Sequence, residues 1–180
     1  MAMTLITTNP DSTDVATVSF TSGIDSTYKL YIFKFYDVNP ATDAAYFQWQ
    51  GSIDGGSNYN VTQTTTFFAS SHSEDDDPAE LQYVDGYDIA QGTGFQYLND
   101  TLEDHADASL VGELHLFNPS NTTYVKHWYA TTNAMFQYSP TGAGNVFTAG
   151  YFNTTDDIDA VQFKMSSGNM DGVIKMYGVG

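Results

Sequence analysis

The feature that most constrains the fold is a series of short apolar runs separated by turn-forming residues. The runs are rich in Val, Ile, Thr, Tyr and Phe, and Gly, Asn, Asp, Pro and Ser interrupt them. Helical periodicity is almost absent, and short alternating runs of this kind are typical of strands. The predicted strands are Thr4–Thr7, Val15–Phe20, Thr27–Asp37, Ala45–Ile53, Thr62–Ala69, Ser109–Phe117, Thr122–Tyr138 (bent or broken), Asn145–Phe152, Ala160–Met165 and Gly172–Tyr177. The pattern predicts an all-β fold, an antiparallel β-sandwich that is jelly-roll-like.

One region, at about residues 70–107, departs from the strand pattern. It opens with SSHSEDDDPAE, which holds four consecutive acids at Glu74–Asp77, and it continues with a Gly- and Asp-rich stretch. We predict a long irregular loop here, with room for one short helix around Pro78–Tyr83, and loops of this length are usually functional. The strands on either side need each other to close a sandwich, so residues 1–180 are predicted to form a single domain.

Composition excludes several classes of function. The chain has five Lys, no Arg and 22 acidic residues, for a formal net charge of −17, so it should repel nucleic acids and anionic membranes. It has no Cys, which excludes disulfides, thiolate metal sites and Cys nucleophiles. The first residues do not resemble a signal peptide, and no run is long enough to span a membrane. We therefore expect a protein that is made in the cytoplasm without a leader.

The sequence offers little catalytic chemistry. Glu113 is the one acid inside a well-defined strand run, and it has no obvious carboxylate partner for general acid–base work. His115 and His127 fall on strands that can form a hairpin across NPSNTT, and Glu113 shares the face of His115, which makes a weak three-ligand metal candidate. No motif of a known hydrolase or metalloprotease is present. We predict that the protein is not an enzyme.

Calcium is the one cofactor that the sequence leaves open. Carboxylates are the hard oxygen ligands that Ca²⁺ prefers, although neither acidic run has the alternation of a known calcium loop. The candidate ligands lie in the two acidic runs: Glu74, Asp75, Asp76, Asp77, Asp156, Asp157 and Asp159. The alternative is that these side chains are simply solvated. No other cofactor is predicted.

Two strand runs are apolar on both faces, which is unusual for a surface strand of a sandwich. In TYKLYIFKFYDV, Tyr28, Leu30 and Ile32 point to one side and their neighbours to the other, and YVKHWYA repeats the pattern. Either the long loop covers the outer side, or another subunit does. The candidate assembly residues are Tyr31, Phe33, Phe35, Tyr124, Trp128, Ile174 and Tyr177. All five lysines also fall in predicted strands, where they protect sheet edges or meet the acidic loops of a neighbour.

Glycan binding is a further alternative, because sandwich lectins stack sugars on exposed aromatic rings. Trp49 in YFQWQGS and Trp128 in KHWYA are the candidates. Both fall within strands rather than at loop tips, so packing in the core is the favoured interpretation.

Three segments carry a resemblance to a known family. They are GIDSTYKLYIFKFYDVNPATDAAYFQWQGSIDGGSNYN (residues 23–60), LFNPSNTTYVKH (116–127) and GYFNTTDDIDAVQFKMSSGNMDGVIKMYG (150–178). The chain resembles a family of virion structural proteins, decoration or tail components, from tailed and especially marine bacteriophages. The resemblance covers most of the chain apart from residues 70–107, and its motifs are structural turns and strands rather than a site.

The resemblance implies a non-enzymatic component of the virion. We expect a capsid decoration or cement protein that assembles through strand faces and loops, with a tail or fibre component, or a glycan-binding module for host attachment, as alternatives. Its partners would be other copies of itself and virion proteins such as the major capsid or tail proteins. A trimer is expected by analogy with capsid and fibre components that sit on threefold axes.

Overall fold

The computed structural model describes residues 2–9, 13–77, 79–136 and 141–180. Within these residues the chain is all-β, with twelve strands in two antiparallel sheets. The strands are β1 (Met3–Thr8), β2 (Val18–Phe20), β3 (Leu30–Pro40), β4 (Phe47–Ser52), β5 (Gln63–Ser73), β6 (Ala79–Tyr83), β7 (Gln96–Tyr97), β8 (Leu110–Phe117), β9 (Lys126–Phe136), β10 (Gly142–Phe152), β11 (Ala160–Met165) and β12 (Met170–Val179). The predicted antiparallel β-sandwich is confirmed.

The two sheets differ in size. The larger sheet has the strand order β1-β12-β3-β8-β9-β10-β5-β6, and the smaller sheet has the order β2-β11-β4-β7. Consecutive strands β8, β9 and β10 are paired antiparallel, so the predicted hairpin between β8 and β9 is confirmed. The jelly-roll connectivity is not confirmed by these strand orders.

The space between the sheets is filled largely by aromatic rings. Phe33 and Phe35 of β3 meet Phe163 of β11, with ring centroids 5.4 and 5.3 Å apart, and Phe35 meets Phe47 of β4 at 5.1 Å. These side chains are fully or almost fully buried. Rings that cross from one sheet to the other at tilted or edge-on angles are the usual geometry of an aromatic core.

Burial corrects most of the predicted assembly residues. Five of the seven candidates are core residues of the single chain, because they occupy the inward positions of their strands: Tyr31, Phe33, Phe35, Trp128 and Ile174. A side chain that the chain itself covers cannot contact another molecule. Period-two alternation divides a strand into two sets of side chains, but it does not say which set faces inward when both are apolar.

The C-terminal strand β12 lies inside the larger sheet, between β1 and β3. It begins at Met170, two residues before the predicted start, and Gly172 forms part of a bulge opposite β3 with a φ of 130°. A Cβ on Gly172 would lie 2.8 Å from the Cα of Val38, so a side chain does not fit there. Gly172 therefore belongs to the strand, and Gly168 (φ 69°) lies in the turn before it.

The region 70–107 is more regular than predicted. Strand β5 extends to Ser73, β6 pairs with β5 where a short helix was expected, and β7 adds a two-residue strand to the smaller sheet. Pro78, the expected first residue of that helix, lies outside the described residues, as does Tyr138, the predicted end of the strand that is β9. The helix prediction is wrong because AELQY follows a turn and pairs with an available sheet edge.

Loops cover the outer side of β4 in the smaller sheet. Strand β4 is buried on both faces, although Gln48, Gln50 and Ser52 point away from the main core. The side-chain amide of Gln50 donates to the carbonyls of Val61, Thr93 and Gly94 at 2.9 to 3.2 Å. These hydrogen bonds satisfy a buried polar group and attach the loops to the sheet. Loop cover, one of the two alternatives predicted for β3, is therefore found over β4.

The lysines do not protect sheet edges. Lys29 precedes β3, and the other four lie on strands with a neighbour on each side: β3, β9, β11 and β12. The edges of the larger sheet are formed by β1 and β6. Lys126 is fully buried, which is rare for a lysine. Edge protection, one of the two predicted roles, is therefore wrong.

Candidate functional site on the larger sheet

The outward side of the larger sheet carries a continuous group of aromatic side chains, which we call the aromatic face. Its members alternate along their strands with side chains that point into the core. The aromatic face consists of His115 and Phe117 on β8, His127 and Tyr129 on β9, Phe147 and Tyr151 on β10, Phe68 on β5 and Tyr83 on β6. These five strands are consecutive neighbours in the sheet, so the face runs across the strands.

Strand register brings these rings together. Tyr129 lies opposite His115, and their rings stack with centroids 4.6 Å apart. Tyr129 also stacks on Phe147 at 5.9 Å with an angle of 19° between the planes. Phe147 lies opposite Phe68, and Phe68 meets Tyr83 edge-on at 5.2 Å. Cross-strand aromatic pairs of this kind stabilise a sheet, and they also create a broad apolar surface.

The described part of the chain leaves this surface open. Phe68, Tyr83 and Phe147 are each 44–46% exposed, and Leu81 beside them on β6 is 81% exposed. Large apolar side chains that cluster on the surface usually mark an interaction site. The outer side of β4 in the smaller sheet differs, because loops cover it.

A recess interrupts the aromatic face. It has a volume of about 420 Å³, and Ala149 occupies its centre because β10 has a small side chain there between Phe147 and Tyr151. The rings around it belong to Phe117, His127, Tyr129, Phe147 and Tyr151, and the polar groups at its margin belong to Thr64 and Thr66. A planar ring or an apolar side chain matches the shape and the lining of this recess.

The aromatic face contacts two carboxylates, Asp88 at the Tyr83 hydroxyl and Glu113 in a small charged cluster. The carboxylate of Glu113 lies 3.1 Å from Nζ of Lys34 and 2.8 Å from Nε2 of His115. Burial raises the pKa of Glu113, but the hydrogen bonds and charges of His115 and Lys34 outweigh it and lower the pKa overall. The hydrogen bond to Glu113 raises the pKa of Lys34. The cluster is therefore an ion pair, and its negative charge is compensated within the chain.

The predicted histidine site does not form. Glu113 and His115 are in contact, but the ring of His127 lies beside Tyr151, with centroids 6.0 Å apart. Among the residues that the structure describes, these three are not found as a group with ligand atoms within 4.8 Å of one another. Tyr129 separates the two imidazoles, since it is the residue that lies opposite His115.

The predicted calcium ligands are engaged in turns. Ser73 Oγ donates to Asp75 at 2.7 Å, His72 contacts Asp76 at 3.0 Å, and Asp159 accepts the backbone N–H of Gly55 at 3.0 Å. Glu74, Asp77, Asp156 and Asp157 are exposed. Within the described residues, neither acidic run brings three ligand atoms within 4.8 Å of one another.

The structure shows one group of possible metal ligands that the sequence did not indicate. Asp43, Asp104 and His105 place their ligand atoms within 4.8 Å of one another, and all three residues are exposed. Hydrogen bonds from Asp104 lower the pKa of Asp43, and the hydrogen bond to Asp43 raises the pKa of Asp104. Asp43 and Asp104 are 61 positions apart in the chain, so no local motif could have indicated the contact.

The remaining predicted residues fall into two groups. Trp49 and Trp128 are buried in the core, so neither can stack on a sugar, and the interpretation as core residues is confirmed. Tyr124 is 69% exposed at the rim of a second recess of about 530 Å³, which shares Phe117 and His127 with the first. Tyr177 is half-buried on the outward side of β12. Of the predicted assembly residues, these two can contact a partner.

Comparison with known proteins adds no relative. No protein-family model matches the chain, and neither a curated protein nor a solved structure matches it significantly. Among the described residues, no helix is long and apolar enough to cross a membrane. The aromatic face is therefore interpreted on its own geometry.

Proposed function

We propose that this protein is a non-enzymatic structural component of a bacteriophage virion, a capsid decoration protein that attaches through its aromatic face. A tail or fibre component is the alternative location on the particle. The proposal rests on one observation: the described chain covers the outer side of β4 in its smaller sheet and leaves a row of aromatic rings open on the larger one. Exposed apolar surface costs solubility, and such a surface is retained where a partner covers it.

The charge distribution supports the same proposal. A chain with a net charge of −17 is suited to the outside of a particle, because it would be repelled by the packaged genome. The resemblance of residues 23–60, 116–127 and 150–178 to phage virion proteins agrees with this location. In the Glu113 ion pair the carboxylate is compensated on the face itself, so contact with another protein does not bury an unpaired charge there.

The proposal is tested on purified virions of the phage that encodes the chain. Mass spectrometry should detect the protein in the particles, and immunogold labelling should place it on the head. A genome that encodes Phe147→Glu should yield particles that lack the protein, because the charge falls in the middle of the aromatic face. Ile53→Glu is the matched control, since Ile53 is equally exposed (43%) but follows β4 of the smaller sheet. Virions that never contain the wild-type chain would contradict the proposal.

Glycan binding is a second candidate, and the recess around Ala149 is the observation that favours it. Tyr129, Phe147 and Tyr151 present ring faces and edges, and Thr64 and Thr66 place hydroxyl groups at the margin. Sugars bind to such combinations through stacking and hydrogen bonds. A glycan array with the wild type and with Tyr151→Ala tests this function. Signal that depends on Tyr151 would support host attachment, and an array without signal would leave assembly as the function of the face.

A further inference from the structure

We infer that the aromatic face binds the same face of a second copy, so that the protein is a two-fold symmetric dimer with its larger sheets in contact. This inference deepens the proposed function and rests on it for the role of the face as an assembly surface. The charge, shape and size of the face identify a second copy of this chain as its partner. It differs from the trimer expected by analogy, because a face that binds itself produces two-fold symmetry.

Charge is the first argument. The four central strands β8, β9, β10 and β5 carry one carboxylate among their described residues, Glu113, in a chain that has 22 acidic side chains. That carboxylate is paired with Lys34 and His115. Two copies with a net charge of −17 each repel one another through almost any other surface. On β6 the hydroxyl of Tyr83 donates to the carboxylate of Asp88, so the four central strands are the part of the face where a second copy approaches without an uncompensated like charge.

Shape is the second argument. A ridge and a recess lie side by side on the same face: Phe68, Leu81 and Tyr83 protrude on β5 and β6, and the recess around Ala149 lies next to them on β10. A two-fold axis between the ridge and the recess places the ridge of each copy over the recess of the other. Self-complementarity of this kind is what an isologous interface requires.

Size is the third argument. Five neighbouring strands about 4.8 Å apart span about 24 Å, and four outward residues along a strand, the number that all of them except the shorter β6 reach, span about 27 Å. The outward side of these strands, which includes polar residues on either side of the aromatic rings, therefore covers about 650 Å² on each copy, or about 1,300 Å² for a pair. Stable protein–protein interfaces bury about 1,200–2,000 Å² in total, so a dimer needs the aromatic face together with these polar margins.

The mass in solution tests the inference. Analytical ultracentrifugation of the wild type should show twice the 19.8 kDa of one chain, with tighter association at high salt because salt screens the repulsion. Phe68→Glu on the ridge should weaken association at least tenfold, whereas Ile53→Glu adds the same charge at a site of equal exposure and should leave it unchanged. Circular dichroism melting confirms that each variant is folded, and Phe68→Ser provides an uncharged second variant.

Disulfide trapping tests the geometry, and the absence of cysteine from the chain removes any background. A mixture of Phe68→Cys and Ala149→Cys chains should form a cross-linked pair under oxidation, and a mixture of Ile53→Cys and Ala149→Cys chains should not. A wild type that is monomeric at all salt concentrations, or a dimer that Phe68→Glu leaves intact, would overturn the inference. If the protein is a monomer that still enters virions through Phe147, the dimer is wrong but the proposed function stands. If it is a monomer that binds glycans through Tyr151, the occupant of the face is a sugar.

Discussion

Trp49 of the smaller sheet and Trp128 of the larger sheet meet edge-on in the core, with ring centroids 4.8 Å apart and an angle of 84° between their planes. Both side chains are buried, and neither indole Nε1 has a hydrogen-bond partner within the described chain. Because the pair joins the two layers, it contributes to the stability of the fold. The tryptophans that the sequence offered as sugar-stacking residues therefore hold the sandwich together.

Replacement of Trp128 should destabilise the fold in proportion to the volume removed. We expect Trp128→Ala to lower the free energy of unfolding by about 3–5 kcal/mol, because it leaves a cavity between the sheets. Trp128→Phe should cost less, about 1–2 kcal/mol, because it keeps a ring and removes the unpartnered N–H. Urea denaturation measures both values. Equal losses for the two variants, or no loss, would contradict a role for this side chain in joining the layers.

Lys126 should be a structural lysine. Its ammonium donates to the carbonyl of Tyr124 at 2.8 Å and lies 3.5 Å from that of Thr154, so it ties the loop before β9 to the loop after β10. Desolvation lowers the pKa of Lys126, and the nearby Asp157 and Asp156 partly oppose this effect. Because removal of the ammonium leaves two carbonyls without this donor in a partly buried site, Lys126→Met should cost about 1–3 kcal/mol.

The control for this prediction is Lys29→Met, since Lys29 is exposed just before β3. Both variants remove one positive charge from a strongly acidic chain, so the difference between their unfolding free energies isolates the effect of burial. If the two variants lose the same stability, the loop tether contributes nothing and only the net charge matters.

The pattern of strands could be predicted from the sequence, but the outward surface could not. Each of the ten predicted strands has a counterpart, because short β-branched and aromatic runs between turn residues are a local signal. The sequence did not predict β6, because Ala, Glu, Leu and Gln in AELQY are good helix formers, or β7, because two residues are too few to form a pattern. The inward direction of Phe33 and Phe35 depends on which layer lies beneath β3, which is tertiary information.

The sequence did not indicate the aromatic face either, because that face also depends on tertiary information. Phe68 and Phe147 are 79 positions apart in the chain, and they become neighbours because β5 and β10 pair in one register. A shift of β5 by one residue would turn Phe68 into the core and leave Phe147 outside, so the pair would not form. Each of the two phenylalanines, considered alone in the sequence, resembles an ordinary core residue.

Acid should weaken the cluster on the aromatic face. The pKa of Glu113 is lowered in the folded state, so its contribution to stability is present above the usual carboxyl pKa and is lost as the pH falls through the lowered value. The difference in unfolding free energy between the wild type and Glu113→Gln, about 1 kcal/mol or less at neutral pH, should shrink toward acid pH. Glu80→Gln on the exposed edge strand β6 is the control. A difference that grows as the pH falls would have the wrong sign for this ion pair.

Gly178 should be intolerant of any side chain, although the sequence shows it only as a glycine near the end of a strand. The ring of Tyr28 lies directly on this residue, and a Cβ at position 178 would fall 2.2 Å from its Cδ2. Gly178→Ala should therefore displace Tyr28, which packs edge-on against Tyr31 at 5.9 Å, and cost about 1–3 kcal/mol. Gly86→Ala is the control, because nothing lies within 4 Å of a Cβ there. In a double-mutant cycle, Tyr28→Ala should abolish most of the cost of Gly178→Ala, and strictly additive losses would show that the ring is not what excludes the methyl group.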